Sequence, residues 1–460
     1  MTRTSSTRTS STRTSSTRTF WTRTFWTHTF WTHTFWTHTF LTHTFLTLAV
    51  ASLWSACSFA TTTVDGNSEV MSRANSLLGN QDKEAQTGEV AKNAAAETKP
   101  EGLTDVTNQE EDRPLIQIAI LLDTSNSMDG LIEQAKSQLW SIVNNLVETK
   151  KDGKVPRVEV ALFEYGNDGL PVTEDYLRQV VPLTTDLDKL SEALFALKTN
   201  GGSEYCGSVI SKASKVLNWG KGQDHYKAIF IAGNEPFNQG QTDYTISCAS
   251  SRADGIVVNT IHCGNDSAGV SGKWRHGAEV GGGRYMVIDS DKRVATIPCP
   301  QDEILIKLNL KLNKTYIRFG KEGVEGLQRQ LKQDASQQEQ SAGSFSSRIA
   351  SKANLNLYRN SHWDLVDAIA EKDFDYNKVD RSTLPEPLQK LSIEELKTHV
   401  DEQKAKRLEI QKEISKLSRQ REDFLADYAG KNAVPGEAES LGKALNSAAL
   451  DQAKARGFKK

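Results

Sequence analysis

The chain has 460 residues, which is enough for two or three domains of about 150 residues each. Its 56 Lys and Arg side chains nearly balance 58 Asp and Glu, so the net charge of −2 gives no reason to expect a nucleic-acid or membrane-surface partner for the chain as a whole. Five cysteines in a chain of this length exclude a small disulfide-framework protein.

Residues 2–46 consist of nine copies of a five-residue unit that begins Thr-Arg-Thr or Thr-His-Thr. A period of five matches neither the helical period of 3.6 nor the strand period of 2. We therefore interpret the repeat as an expansion in the coding sequence or a start codon assigned too early. The run from Phe45 to Ala56 is apolar, long enough for a signal-peptide core and too short for a spanning helix. Residues 1–60 thus predict an exported protein.

Two candidate processing sites lie at the end of this apolar run. Leu53 to Cys57 resembles a bacterial lipoprotein box, in which the cysteine is acylated and becomes the new N-terminus, although Trp54 stands where an aliphatic residue is usual. Ser58 to Ala60 offers small residues for ordinary signal cleavage instead. We expect lipid attachment at Cys57, contact with the membrane through that lipid, and a location in the bacterial cell envelope, either anchored or periplasmic.

A polar segment precedes the region that has the pattern of a folded domain. Residues 61–113 carry few large apolar side chains and are predicted to be a disordered linker. From Leu115, apolar runs such as residues 116–123 alternate with helical patterns up to Leu312. This alternation predicts a doubly wound α/β domain over residues 115–314 with a mostly parallel sheet, which binds ligands at the carboxyl ends of its strands.

A D-x-S-x-S run stands at the end of the first predicted strand. Its three defined positions are Asp123, Ser125 and Ser127. A carboxylate and two hydroxyls on one tight loop are hard oxygen ligands that suit Mg²⁺. The run resembles the metal-ion-dependent adhesion site of von Willebrand factor A domains, and the resemblance covers residues 115–314. It implies a binding domain that holds Mg²⁺ or Mn²⁺ and recognises a protein ligand whose own carboxylate completes the metal shell. Because the charge of the chain is balanced, we expect no nucleic-acid partner.

The same resemblance implies a further oxygen ligand from the glycine-rich loop before the third helix. Here Ser203 or Glu204 could reach the ion. In the family an aspartate ends the fourth strand, whereas this chain has Gly233 at that position. Glu204 would restore the lost charge, and Asn234 or Glu235 could act through water.

An enzymatic alternative also begins from an aspartate after a first strand, which is the nucleophile in phosphatases of haloacid-dehalogenase-like fold. Those enzymes carry a second acid two residues later, where this chain has Ser125. The histidines at 225, 262 and 276 lie on separate predicted elements without metal-ligand spacing, so we expect them to be structural. We therefore expect a protein that is not an enzyme.

Four cysteines remain in the predicted domain if Cys57 is modified: Cys206, Cys248, Cys263 and Cys299. An even number in an exported domain is compatible with two disulfides, and four cysteines allow three pairings that the sequence leaves open. Buried free thiols are the alternative interpretation.

The region beyond the predicted domain is expected to be α-helical and separate from it. Residues 321–390 predict a polar linker with short helices, in which Trp363 is a packing anchor, and residues 426–460 predict a tail. Residues 391–425 have apolar side chains at 3-4 spacing, which permits a coiled coil, a partner helix, or a solvated helix resting on the domain. The segments at 201–207 and 360–368 resemble bacterial envelope proteins with a helical tail. An alternative function is therefore an envelope assembly factor that acts through this tail with a metal-free domain.

Overall fold

The computed structural model describes residues 113–222, 224–292, 294, 296–432 and 439–460. The repeat, the signal segment, Cys57 and almost all of the predicted linker lie outside these ranges. Among the helices of the described residues, none is long and apolar enough to cross a membrane.

Six strands form one sheet in the order β3-β2-β1-β4-β5-β6, and only β3 runs antiparallel to its neighbour. Both faces of the sheet are covered, which is why β1 and β4 are buried along their whole length and consist almost entirely of apolar residues. The predicted doubly wound, mostly parallel α/β fold is confirmed. The strands are β1 (Leu115–Asp123), β2 (Arg157–Tyr165), β3 (Leu177–Thr184), β4 (Tyr226–Gly233), β5 (Val257–Cys263) and β6 (Gly282–Ile288).

Helices from the predicted domain pack on both faces of this sheet. One face carries the helices that contribute Ile210, Cys248 and Trp274 to a shared apolar core. The opposite face carries those that contribute Leu139 and Leu190. These helices are α1 (Asp129–Val147), α2 (Leu187–Ala196), α3 (Cys206–Val216), α4 (Tyr244–Ala253), α5 (Asp266–Ser271) and α6 (Trp274–Gly281).

The last described helix, α13 (Leu441–Ala455), completes the second face of the sheet. Its apolar side chains, including Leu441 and Leu445, are buried in the same core as the side chains of β1 and α1. At its N-terminus the backbone N–H of Leu441 donates to Gln134 Oε1 at 2.8 Å, and the N–H of Gly442 donates to Gln138. The segment predicted as a tail is therefore part of the sheet unit.

The helix expected to close the domain near residue 312 packs elsewhere. That helix, α7 (Asp302–Asn313), buries Leu305, Leu308 and Leu312 against the helical region and not against the sheet. The boundary predicted at residue 314 therefore differs from the structure, in which a helical region is inserted between β6 and α13. The sequence pattern favoured α7 because it follows the last strand directly and carries the more obvious leucine spacing.

The segment predicted as a polar linker contains two substantial helices, α8 (Gly323–Gln340) and α9 (Ala342–Ala353). Their charged side chains are paired inside the fold: Arg348 contacts Asp188 of α2 at 2.5 Å and Asp334 at 2.7 Å, and Lys352 contacts Asp334 at 2.8 Å. Polar composition was misleading here because the charges neutralise one another in a buried cluster. Two short helices follow, α10 (Leu365–Ala368) and α11 (Glu386–Gln389).

The long charged helix is α12 (Ile393–Lys431), and a capping box between Ser392 and Glu395 fixes its start. The side chains at 3-4 spacing on this helix pack within the chain. The polar residues among them form ion pairs with the neighbouring helical region. Arg407 Nη1 contacts Asp364 at 2.6 Å, and Arg421 Nε contacts Asp302 at 2.7 Å. The helix thus rests on its own helical region. Trp363 is buried there and stacks on Tyr316, with ring centroids 5.7 Å apart, as a packing anchor.

Candidate metal centre

The candidate site lies where parallel strands end. Asp123 is the last residue of β1 and Gly233 is the last residue of β4, and these strands are neighbours. After Asp123 the chain turns sharply, and the backbone N–H of Ser125 donates to Asp123 Oδ1 at 2.7 Å. The next residue ties this loop to the glycine-rich loop, because the N–H of Asn126 donates to the carbonyl oxygen of Gly201 at 3.0 Å. The two predicted ligand loops are therefore adjacent.

The side chains of the D-x-S-x-S run converge as the sequence predicts. Ser125 Oγ and Ser127 Oγ are 3.3 Å apart. Asn234, after β4, donates from Nδ2 to Ser127 Oγ at 3.0 Å, so it contacts the cluster directly and not only through water. Its other amide atom, Asn234 Oδ1, is buried without a hydrogen-bond partner among the described residues.

Glu204 reaches the same place from the glycine-rich loop. A Cβ at Gly166 would lie 2.8 Å from Glu204 Cγ and 2.9 Å from Asp123 Oδ1, which puts the two carboxyl groups side by side above this glycine. A Cβ at Gly202 would lie 2.5 Å from Glu204 Oε1 and 2.8 Å from Ser125 Cβ. Both glycines have positive φ, so they supply the space and the backbone conformation that the cluster needs.

Ser203, the other candidate on this loop, is half-buried and makes no side-chain hydrogen bond to the described residues. Glu204 is buried and faces Asp123. The structure thus brings Asp123, Ser125, Ser127 and Glu204 together and leaves Ser203 beside them. Glu235 is exposed at the rim of the site.

The electrostatics of the site fit a cation. Burial raises the pKa of Asp123 to about 7, against the opposing effect of hydrogen bonds from Ser125. Burial also raises the pKa of Glu204 to about 7, and the neighbouring charge of Asp123 adds to the shift. Asp123 Oδ2 is buried without a hydrogen-bond partner among the described residues. Two buried carboxyl groups and an unpaired oxygen form a donor set that a hard divalent ion would satisfy.

Sequence reasoning missed the role of Tyr165, the last residue of β2. Its hydroxyl donates to the carbonyl oxygen of Ala232 at 3.0 Å, directly before Gly233. A Cβ at Gly233 would lie 2.5 Å from this hydroxyl and 2.9 Å from Asp123 Oδ2. The space for the aspartate of the family is therefore filled by Tyr165. The backbone at Gly233 does not have the positive φ that would have explained a glycine in another way.

The four cysteines are buried free thiols, so the disulfides considered among them are absent from the described structure. They lie on four parts of the fold: the start of α3, the middle of α4, the end of β5 and the segment before α7. The Sγ atom of Cys206 lies 3.9 Å from the hydroxyl of Tyr165. The thiol of Cys206 thus packs beneath the candidate site.

In the described part of the chain, no group of three or more His, Cys, Asp and Glu side chains is placed to hold a metal ion. The histidines at 225, 262 and 276 are accordingly dispersed. The candidate centre is of another type, because two of its donors are carboxyl groups and the others are hydroxyl groups.

Comparisons with known proteins found one family model and several solved structures that match part of the chain. A family model described as von Willebrand factor type A domain matches residues 118–235. BatB from Bacteroides thetaiotaomicron is 16% identical over 38% of this chain and 90% of its own, with a TM-score of 0.30. The SpRpn10 VWA domain is 17% identical over 39% of this chain and 100% of its own, with a TM-score of 0.30.

A further similar structure is proximal thread matrix protein 1 from the mussel byssus, solved with a zinc-occupied MIDAS motif. It is 14% identical over 39% of this chain and 43% of its own, with a TM-score of 0.31. No curated protein sequence matches the chain significantly.

Proposed function

Because residues 118–235 form a von Willebrand factor type A domain, we propose that the protein is a non-enzymatic binding protein that recognises a protein partner through a bound divalent cation. The observation that supports this most is the convergence of Asp123 and Glu204, with Asp123 Oδ2 buried and unpaired. Unpaired buried carboxylate oxygens are costly, and a cation would remove that cost.

The residues that would hold Mg²⁺ or Mn²⁺ are Asp123, Ser125, Ser127 and Glu204. The ion would offer a coordination position to a carboxylate of the partner. Asn234 orients Ser127 by its hydrogen bond, and the exposed Glu235 adds negative charge at the rim. The carboxylates of Asp123 and Glu204 would together neutralise a divalent ion. The site would therefore not need the aspartate that the family has where this chain has Gly233.

The metal half of this proposal is tested by calorimetric titration with Mg²⁺ and Mn²⁺. We expect wild-type protein to bind, Glu204→Gln to weaken binding strongly, and Ser203→Ala to have little effect. A larger loss with Ser203→Ala would instead assign the ligand to Ser203. Wild-type protein that binds neither ion at millimolar concentration would contradict the proposal.

The partner half is tested by capture from cell-envelope extracts. Immobilised wild-type protein should retain a partner in Mg²⁺ and release it in EDTA, whereas Asp123→Asn should retain nothing in either condition. A partner that stays bound to Asp123→Asn in EDTA would show that recognition does not use the metal centre.

We also propose that Cys57 carries a lipid and that the protein is held in the bacterial cell envelope. The support is the apolar run and the lipoprotein-like box in the sequence. Metabolic labelling with a fatty-acid analogue should mark wild-type protein and leave Cys57→Ser unmarked. Unlabelled mature protein that begins after Ala60 would contradict lipid attachment while leaving export intact.

The alternative function, assembly through the helical region, has one favourable observation. Phe424 and Tyr428 are exposed apolar side chains one turn apart near the end of α12. Deleting residues 321–460 would not separate the two functions, because it removes Leu441 and Leu445 from the core of the sheet unit. The better test is Phe424→Ala with Tyr428→Ala. If this pair abolishes EDTA-resistant capture, the alternative is favoured.

A further inference from the structure

The outer face of α12 carries two pairs of charges of opposite sign. Lys412 and Lys416 lie one turn apart, and Asp423 and Asp427 lie one turn apart further along the helix. Their spacing places all of these side chains on one face of an α-helix, and all of them are exposed. Ile414, which is fully buried, lies on the opposite side of α12. The charged face is therefore turned away from the fold.

Most of these charges have no oppositely charged partner in the described part of the chain. Lys412, Lys416 and Asp423 form no ion pair with the described residues. Asp427 pairs with Lys431 at 2.6 Å, but the exposed fractions of these two side chains are 63% and 71%. Exposed pairs of this kind contribute little to stability, so Asp427 can exchange its partner at little cost.

The two pairs are complementary to each other in one antiparallel arrangement. If Lys412 is placed opposite the partner's Asp427 on a second α12, Lys416 comes to lie opposite the partner's Asp423, because both contacts have the same centre between residues 419 and 420. A two-fold axis at this centre repeats both contacts. One register thus forms an ion pair from each of the four charges on both copies.

The other charges of α12 are compatible with this register. Arg407 and Arg421 are paired inside the fold. The remaining charges between residues 407 and 432 do not lie directly opposite a like charge. The residues opposite Glu409, Glu413, Arg419, Glu422 and Lys431 are, in that order, Gly430, Ala426, Gln420, Leu417 and Leu408.

An open groove runs beside the same face. It has a volume of about 550 Å³ and is lined by residues of α12 from Leu408 to Asp423 and by Ala353 and Leu355 at the end of α9. Leu355 is 46% exposed. A second α12 in the register above would lie over part of this groove, and its small side chain at the partner's Ala426 would permit close approach of the two helices. The contact would therefore bury apolar surface as well as charge.

We propose that α12 pairs antiparallel with α12 of a second copy of this chain, so that the protein is a two-fold symmetric dimer. Charge complementarity selects a second copy as the partner, because one helix carries both of the complementary pairs at the spacing that a two-fold axis requires. The interface includes no residue of the candidate metal centre. The dimer is therefore expected with or without a divalent ion.

Charge swapping tests the proposed register. Sedimentation equilibrium is measured on full-length protein in EDTA, with Cys57→Ser in every sample so that no attached lipid contributes. The otherwise unchanged protein should dimerise. Two double variants should each weaken dimerisation at least about tenfold: Lys412→Glu with Lys416→Glu, and Asp423→Lys with Asp427→Lys. An equimolar mixture of the two variants should recover dimers, because every cation at the interface then meets an acid.

The matched control is Lys404→Glu with Lys406→Glu. It changes the net charge by the same amount on the same helix, but the positions opposite these residues lie beyond Lys431, where α12 ends. Dimerisation should therefore be unchanged. Protein that stays monomeric at about 0.1 mM would overturn the proposal. Dimers that the charge variants do not weaken, equal weakening by the control, or a mixture that does not recover dimers would also overturn it.

Cross-linking locates the two-fold axis independently. Positions 402 and 420 are both exposed, and their separation of five full turns places them on the same side of α12. In the proposed dimer the two copies of position 420 are about 1.5 Å apart along the helix axis, and those of position 402 are about 50 Å apart. A short bismaleimide should join two chains of Gln420→Cys and not of Glu402→Cys, because the cysteines of the described residues are buried. Equal cross-linking of the two variants would overturn the proposed register.

Discussion

The placement of α13 on the sheet predicts that Leu445→Ala destabilises the whole sheet unit. Leu445 is fully buried and lines an apolar cavity together with Ile120 and Leu122 of β1 and leucines of α1 and α2. The change removes three carbon groups, worth about 0.8 kcal/mol each, and leaves a larger cavity. We therefore expect the free energy of unfolding to fall by about 3 kcal/mol, measured by denaturant titration.

The matched control is Lys443→Ala on the same helix. Its side chain is 72% exposed and pairs only loosely with Glu439, at 3.9 Å. Surface pairs of this kind contribute little, so this change should alter the free energy of unfolding by less than about 0.5 kcal/mol. If Leu445→Ala is as mild as Lys443→Ala, α13 does not close the sheet and the assignment of its position is wrong.

Three further predictions concern the site and the buried charges. Asp123→Asn should weaken Mg²⁺ binding at least tenfold, about 1.4 kcal/mol, by calorimetry, whereas Asp168→Asn on an exposed loop should not. Gly233→Asp should lower the thermal midpoint without tightening Mg²⁺ binding, because its Cβ meets the Tyr165 hydroxyl, and added Tyr165→Phe should recover part of the loss. Burial would raise the pKa of Asp334, but two buried cations beside it hold the pKa well below its usual value. Its stabilisation is therefore present above pH 4 and lost towards pH 2, so Asp334→Asn should cost about 3 kcal/mol at pH 7 and progressively less in acid.

Most of the sheet could be predicted from the sequence, because its buried strands are continuous apolar runs of the kind found in parallel sheets with both faces covered. The exception is β3, Leu177–Thr184, an edge strand in which only Leu177 and Val181 are buried. Its weak pattern is that of a strand covered on one side only. Strands that are buried on both faces give a strong apolar signal in a single sequence, whereas an edge strand such as β3 does not.

The helical region was harder to predict for two different physical reasons. The core contribution of α13 depends on small side chains such as Ala444 and Ala448, which allow close packing but give little hydrophobic signal. The helix α9 buries Arg348 and Lys352, which are residue types usually found on the surface. Charges of that kind are buried only because their partners come from distant helices, and a single sequence does not show those pairings.

The candidate site was predictable where its residues are close in sequence and not where they meet through the sheet. Asp123, Ser125 and Ser127 lie on one turn, so their spacing defines the cluster. The choice of Glu204 over Ser203 required the path of the loop through two glycines with positive φ.

Gly233 stands where the family has an aspartate, and the structure explains this difference. The space beside Asp123 at the end of β4 is filled by Tyr165, which comes from β2. β1 lies between β2 and β4, and the Tyr165 hydroxyl reaches from the end of β2 to the carbonyl oxygen of Ala232 on β4. A carboxylate at position 233 would have to displace that hydroxyl. Since Glu204 brings a carboxyl group to Asp123 from the opposite loop, the site keeps two acidic groups while the end of β4 becomes a packing contact. The Tyr165 hydroxyl thus fills the space beside Asp123 at the end of β4, and Glu204 supplies the second carboxyl group from the glycine-rich loop.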